Sequence, residues 1–376
     1  MAQRADRLHR RRLHSGSDRL ARAPKPRQNG AMFDHPDFDA HEAAHFVHDA
    51  ASGLTAIIAI HSTHRGPAGG GCRFRPYATS AQALGDALRL SRAMSLKSAL
   101  AGLPAGGGKT VILAPPGGKS PALFEALGAA VEQLGGRYVA AGDVGVTPED
   151  LLQVAARTRH VVGIPSRAGE VGGDSGPPTA RGLRAALLAS LPFAFGRDTP
   201  GGLTIAIQGV GAVGGGLARL LAPMGAHLLL ADAEAGKAQA LAAELGAQAV
   251  PADAILSAPC DILSPCALGG VLSAATIPAI RARLVVGGAN NQLATPEDDA
   301  RLAAAGILWV PDYAASAGGI IQVMSQYLGE TSADAVEARI EAIGARVAAI
   351  LAEARASGRP TGAVAEAMAL KLIGRG

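Results

Sequence analysis

Residues Gly202–Asp232 read GLTIAIQGVGAVGGGLARLLAPMGAHLLLAD, and this stretch decides the fold. An apolar run with strand character leads into a glycine-rich turn. A helical pattern follows, then a second apolar run that ends on an acid. Gly209, Gly211 and Gly214 fit G-x-G-x-x-G. The first allows a tight turn, the second lets backbone approach a pyrophosphate, and the third lets helix and strand pack closely. The helix opening at Ala212 and Val213 offers free N–H groups and the positive end of its dipole to phosphates. The glycine pattern alone would also suit a structural turn. Its place after a strand and before a helix, with Asp232 closing the next strand, points to dinucleotide binding. Asp232 is expected to accept from the adenosine ribose hydroxyls and to repel a 2′-phosphate, which favours NAD over NADP. Lys237, close by in sequence, slightly weakens that preference.

The rest of the chain fits an enzyme built around such a unit. It has 376 residues, 48% hydrophobic and 18% charged, enough for two or three domains with ample core. Aromatics are only 3%, so alanine, leucine and valine must fill the interior. No apolar run reaches the ~18–20 residues of a membrane span. Cys72, Cys260 and Cys266 show no metal-binding spacing, so no metal is expected, and an odd count leaves one thiol unpaired. Reduced thiols in a cytoplasmic protein are the plain reading. The formal charge of +4 is misleading. Residues 1–31 hold eight arginines and one lysine against two aspartates, leaving an ordinary, slightly acidic body. That stretch lacks the apolar run of a secretory signal and is read as a disordered basic extension. Neither nucleic acid nor membrane is expected as a partner.

Upstream of the fingerprint, strand and helix patterns alternate. LTAIIAIH (54–61) reads as a buried strand and GPAGGGCRF (66–74) as a glycine-rich loop. Residues 80–94 have helical periodicity, TVIL (110–113) is a strand, and 122–134 and 147–157 are helices. Thr147 with Asp150 resembles a capping box. The alternation implies a mostly parallel sheet. AGEVGGDSGPP (168–178) marks a domain junction, and 333–356 is an amphipathic helix.

Three charged residues of the first half lie among small and apolar neighbours: Lys97 in RAMSLKSAL, Lys109 in AGLPAGGGKT and Asp143 in VAAGDVG. GGGKT is not a phosphate loop, because Leu103 stands where the leading glycine belongs and a strand follows instead of a helix. Gly106–Gly108 bring the chain close to a neighbour and leave Lys109 at the mouth of a strand. A buried lysine beside a second cation has its pKa lowered, which suits proton exchange near neutrality. Spacing alone leaves the plainer reading, pairing with surface acids, equally open.

From Phe33 to the C-terminus the chain resembles the Glu/Leu/Phe/Val dehydrogenases, especially the leucine, valine and phenylalanine branch. The resemblance rests on GPAGGGCRF, AMSLKSALAGLPAGGGKT, GRYVAAGDVGVT, GVGAVGG, CDILSPCALGGVL, GGANNQL and PDYAASAGG in order. It implies a two-domain α/β enzyme that oxidatively deaminates an L-amino acid with NAD, giving a 2-oxo acid and ammonia. The implied substrate and oligomerisation domain is 32–162 with 350–376, and the Rossmann domain is 163–349. A homo-oligomer, dimer or octamer, is expected.

By the resemblance, Lys97 binds the α-carboxylate, Lys109 polarises the developing carbonyl and activates water, and Asp143 shuttles protons. Gly70 and Gly71 allow close backbone approach beside the substrate. Thr179, Ala289 and Asn290 lie toward the nicotinamide side. Ala141, Ile320 and Val323 line an apolar side-chain pocket. Two positions depart from the family. Ser316 replaces an asparagine that contacts substrate. Gly69 replaces the leucine of branched-chain enzymes or the lysine of glutamate enzymes, which is expected to open space and to disfavour glutamate. A catalytically weak NAD-binding regulatory homologue is the alternative class; retention of Lys97, Lys109 and Asp143 argues against it.

Overall fold

The computed structural model describes residues 32–165 and 171–375. The basic extension expected at 1–31 lies outside the described residues, as does the start of the expected junction. A single 3-10 turn, Met32–Asp34, comes first. From Asp37 onward the chain forms one compact unit holding two β-sheets.

The first sheet contains β1 (Ala43–Asp49), β2 (Leu54–Ser62), β3 (Ala68–Arg75), β4 (Gly106–Leu113) and β5 (Tyr138–Gly142), in the order β1-β2-β4-β3-β5. It carries α1 (Ser80–Leu100), α2 (Pro121–Glu132) and α3 (Pro148–Ala155). The sheet is mixed, which corrects the mostly parallel expectation. β1 and β2 form a hairpin turning at Gly53, whose φ of +76° favours glycine, and β2 pairs antiparallel with β1 on one side and β4 on the other. Only β3, β4 and β5 are mutually parallel neighbours. The capping box at α3 is present: the Thr147 side chain accepts from the Asp150 amide, and Asp150 accepts from the Thr147 amide.

Two glycine stretches differ from expectation. GPAGGGCRF, expected as a loop, is strand β3, between β4 and β5. GGGK, expected before a strand, is the first half of β4, so Lys109 sits inside a strand. The β4 glycines serve protein packing. A Cβ on Gly106 would fall 1.9 Å from the Ser62 carbonyl oxygen, and one on Gly107 would fall 2.0 Å from the Ser95 amide nitrogen of α1. Only glycine lets the helix and the neighbouring strand close this tightly on β4.

After α4 (Gly176–Phe195) comes the second sheet. Its strands are β6 (Thr204–Gln208), β7 (His227–Ala231), β8 (Gln248–Ala249), β9 (Ile262–Pro265), β10 (Leu284–Val285) and β11 (Leu308–Trp309). Its helices are α5 (Ala212–Leu221), α6 (Ala235–Leu245) and α7 (Glu297–Ala304). Every pairing is parallel, in the order β8-β7-β6-β9-β10-β11. Chain order reverses between β6 and β9, the switch point where such sheets bind ligands. Helices α8 (Asp312–Ala315), α9 (Gly318–Tyr327), α10 (Ala333–Ser357) and α11 (Thr361–Leu372) return the chain, α10 onto α4 and α11 onto α1. One apolar core joins the halves: Leu96 and Leu100 of α1, Leu183 and Leu187 of α4, Ile205 of β6 and Ile343 of α10. Each such buried side chain contributes about 1.5–3 kcal/mol.

A polar cluster centred on the buried His61 ties Asp39 and Arg375 to α1. Arg375 donates to His61 Nε2 at 2.7 Å, and His61 Nδ1 is 2.8 Å from Ser95 Oγ. Asp39 approaches His61 Nε2 at 3.2 Å and accepts from Arg92, which also holds Glu366. Burial, with Arg375 and His41 adding to it, lowers the His61 pKa to about 4. Burial lowers His41 as well. An unfolded histidine titrates near ~6.5, so the unfolded chain binds the extra proton first. Stability is therefore expected to fall as pH drops from about 6.5 to about 4, with His61 contributing roughly 3 kcal/mol at most. Urea unfolding at pH 7 and pH 5 checks this; His61→Gln should flatten the dependence.

Candidate active site

The glycine turn after β6 has the geometry of the tight turn and the close helix–strand packing read from the sequence. Gly209 has φ +87°, and a Cβ there would meet the Ala267 Cβ at 2.7 Å. A Cβ on Gly211 would meet nothing within 4 Å, so the space above the turn is open. A Cβ on Gly214 would sit 1.9 Å from the Gly209 carbonyl oxygen. Gly211 caps α5 without a side-chain hydrogen bond, which leaves the helix amides for a ligand. Asp232, at the end of β7, accepts from the Val210 and Glu234 amides at 2.9 and 3.0 Å. Those amides, with Lys237 helping, lower its pKa. Lys237 itself pairs with Glu234 at 2.6 Å, which reduces its expected effect on a 2′-phosphate.

The charged residues of the first half converge. A cavity of about 260 Å³ is lined by Lys97, Lys109 and Asp143 on one side, and by Thr179, Val213, Asn290 and Ser316 on the other. Lys109 is 5% exposed, and its Nζ reaches Asp143 Oδ2 at 2.8 Å. Strand β3 lies between β4 and β5, and Asp143 directly follows β5, so the lysine must cross β3. It does so at Gly71, where a Cβ would stand 2.8 Å from Asp143 Cβ and 3.2 Å from Lys109 Nζ. Gly71→Ala is expected to part the pair, lowering kcat/KM on the order of 10²-fold and stability by roughly 1–3 kcal/mol. Initial rates and thermal unfolding of the variant check both effects.

Electrostatics divide the two acids. Burial works to raise the Asp143 carboxyl, but Lys109 and Arg73 outweigh it and hold it below the ordinary value. Burial pushes the Asp312 carboxyl up, against the pull of Lys97 and the Asn291 and Gln292 amides. Lys97, on α1, donates to Asn290 Oδ1 at 2.8 Å and to Ser316 Oγ at 2.9 Å. Burial lowers its pKa; Asp312 opposes this and Lys109 reinforces it. Ser316 therefore keeps a hydrogen-bonding role through Lys97. Thr179 Oγ1 donates to the Ser175 carbonyl at 2.7 Å and accepts from the Gly319 amide at 3.0 Å, joining α4 to α9.

Ala141 and Ile320 also line this cavity, whereas Gly69, Gly70 and Val323 do not. Gly70 backs onto the Gly108 carbonyl, and its own carbonyl accepts from Tyr138 at 2.7 Å. Val323 is buried in the core. The space expected at Gly69 is not open: Met324 of α9 fills it, with Sδ 2.9 Å from the position of a Cβ. Gly209, Gly211, Ala212, Gly214, Asp232 and Ala289 lie outside this cavity, on the β6–β9 side; the Ala289 amide donates to the Pro265 carbonyl at 2.9 Å. Sequence reading missed Arg73 and Asp312. Arg73 had a readable signal: two residues beyond Gly71 on a strand, it shares that face.

All three cysteines are free, and among the described residues no His/Cys/Asp/Glu group could hold a metal. Among the described residues no helix is long and apolar enough to cross a membrane.

A parallel dinucleotide-type sheet beside a cavity with two lysines and a carboxylate defines a two-domain α/β dehydrogenase. The family comparisons agree. The Glu/Leu/Phe/Val dehydrogenase dimerisation domain matches residues 41–160, and the Glutamate/Leucine/Phenylalanine/Valine dehydrogenase model matches 228–372. The leucine dehydrogenase of Thermoactinomyces intermedius is 40% identical over 91% of this chain and 93% of its own. The phenylalanine dehydrogenase of Lysinibacillus sphaericus is 44% identical over 77% of each. The crystal structure of L-tryptophan dehydrogenase from Nostoc punctiforme superposes with a TM-score of 0.77 at 36% identity, covering 89% of this chain and 96% of that one. The chain belongs to the Glu/Leu/Phe/Val dehydrogenase family of amino-acid dehydrogenases, oxidoreductases acting on a CH–NH₂ group.

Proposed function

We propose that the protein catalyses reversible, NAD-dependent oxidative deamination of an apolar L-amino acid. An amino acid, NAD⁺ and water give a 2-oxo acid, ammonium, NADH and a proton. The observation that carries this reading is the Lys109–Asp143 pair beside Lys97 in one cavity. NAD, when bound, supplies the hydride acceptor. Gly209, Gly211, Gly214 and the α5 amides would hold its pyrophosphate, and Asp232 its adenosine ribose.

The residues then divide the work. Lys97 receives the α-carboxylate, oriented by Ser316 and Asn290. Asp143 takes a proton from the substrate ammonium, because hydride leaves Cα only from the neutral amine. Lys109 assists attack of water on the resulting iminium and stabilises the oxyanion-like charge that develops. Asp143 returns a proton to the departing nitrogen. Ala141, Ile320 and Leu90 give the cavity apolar wall, and Gly69 supplies no cation for a side-chain carboxylate. These features favour leucine, valine, isoleucine or phenylalanine over glutamate. The named relatives point the same way and do not favour a catalytically weak regulator.

The same reading assigns residues 32–162 with 350–376 to the substrate domain and 163–349 to the cofactor domain. A homo-oligomer is supported by the dimerisation-domain match, and a cytoplasmic setting by the free cysteines. The test is NADH formation, by absorbance, from leucine, valine, isoleucine, phenylalanine, tryptophan and glutamate, with NAD and then NADP. No amino-acid-dependent signal from any of them would overturn the proposal.

A further inference from the structure

Arg73 has no part in the mechanism above, yet its geometry is specific. Its Nε donates to Asp143 Oδ2 at 2.8 Å, the same oxygen that takes Lys109 at 2.8 Å. Its Nη1 reaches Asp86 Oδ2 at 3.2 Å. Asp86 is in turn fixed by the Tyr77 hydroxyl at 2.7 Å and by Arg89. The guanidinium is thus anchored from behind and presents one N–H to the acid. Arg73 and Asp143 are each largely shielded, with side chains 15% and 16% exposed, so the contact is not a loose surface pair.

We propose that Arg73 is a positioning residue of the reaction: anchored on Asp86, it ties down Asp143 Oδ2 so that Oδ1 is left to exchange protons with the substrate nitrogen. The proposal rests on the function proposed above. The two contacts on Oδ2 also differ in kind. Lys109 has its own chemistry and a flexible stem, so it releases Oδ2 when it engages substrate or water. The planar, permanently charged guanidinium does not titrate and holds Asp143 in place through that step. Charge works in the same direction. The groups facing Asp143 are Lys109 from β4, Arg73 from β3 and, further off, Lys97 from α1. Asp86 stands behind Arg73, and burial keeps the nearby Cys72 and Tyr138 neutral. Removing Arg73 leaves Asp143 buried with one close cation, so its carboxyl should become harder to ionise.

The test compares Arg73→Met, Arg73→Gln and Arg73→Lys by the pH dependence of kcat/KM. In both neutral variants the acidic limb should move up by about one pH unit or more. In Arg73→Lys it should stay near the wild-type position, with kcat partly rescued, while the Kd for NADH is unchanged in all three. The Asp143 carboxyl ¹³C resonance, assigned by its loss in Asp143→Asn, should show the same shift without turnover. That readout separates failure of this idea from failure of the substrate assignment. An unmoved limb and resonance in the neutral variants would overturn the role. So would failure of both neutral variants to fold, since Arg73 would then be holding structure only.

Discussion

Lys109→Ala is expected to lose at least about 10³-fold in kcat while binding NADH as the wild type does. The size follows from position. Lys109 is the one cation that is both buried in β4 and in contact with Asp143 across Gly71. On the proposed mechanism, removing it takes away the cation that stabilises the developing oxyanion, and with it a partner that helps to hold Asp143 ionised. Neither neighbour can replace it. Arg73 is committed to Asp143 and Asp86, and Lys97 to Asn290 and Ser316. The fold should survive, because Asp143 retains Arg73 and is not left as an unpaired buried charge. NADH affinity should survive because the glycine turn and Asp232 lie outside the cavity. Stopped-flow absorbance for turnover and NADH fluorescence for binding separate the two effects. A kcat within tenfold of wild type would remove Lys109 from the reaction.

How much of this was readable before the structure depended on whether side chains carried a signal. The Rossmann unit was readable because its glycines follow a spaced pattern with a fixed physical reason at each place. Strand β3 was not, because a strand is recognised by alternation, and Gly69–Gly71 have no side chains to alternate. Reading it as a loop also hid Arg73, since its face follows only from the period of two. The glycines of β4 announce a close approach but not its partner, because Ser62 and Ser95 lie too far off in sequence for a local pattern to point to them. Two-residue strands such as β8, β10 and β11 are too short for any pattern and exist through their neighbours in the sheet. Met324 filling the Gly69 site could not be read at all. It joins residues 255 positions apart, which no local rule connects.

The second large effect is expected at the turn between β6 and α5, where two glycines of one motif should fail in different ways. Gly214→Val should raise the Kd for NADH by at least about 100-fold, a loss of roughly 2.7 kcal/mol, and lower thermal stability as well. Its first side-chain carbon would stand 1.9 Å from the Gly209 carbonyl oxygen and 3.0 Å from Cys266 Cβ. Backbone on one side and the half-buried Cys266 on the other leave no rotamer that relieves the clash. Helix α5 must then lift from the turn, carrying away the amides that would cradle the pyrophosphate. Gly211→Ala should behave differently, because its methyl meets nothing within 4 Å in the protein. The melting temperature should hold, and NADH affinity should still fall, since the methyl occupies space that the phosphates would use. Differential scanning calorimetry with NADH titration on both variants makes the comparison. If Gly211→Ala binds NADH as tightly as the wild type, the open space above the turn is not the pyrophosphate site. If Gly214→Val keeps wild-type affinity, α5 does not present its amides to the cofactor.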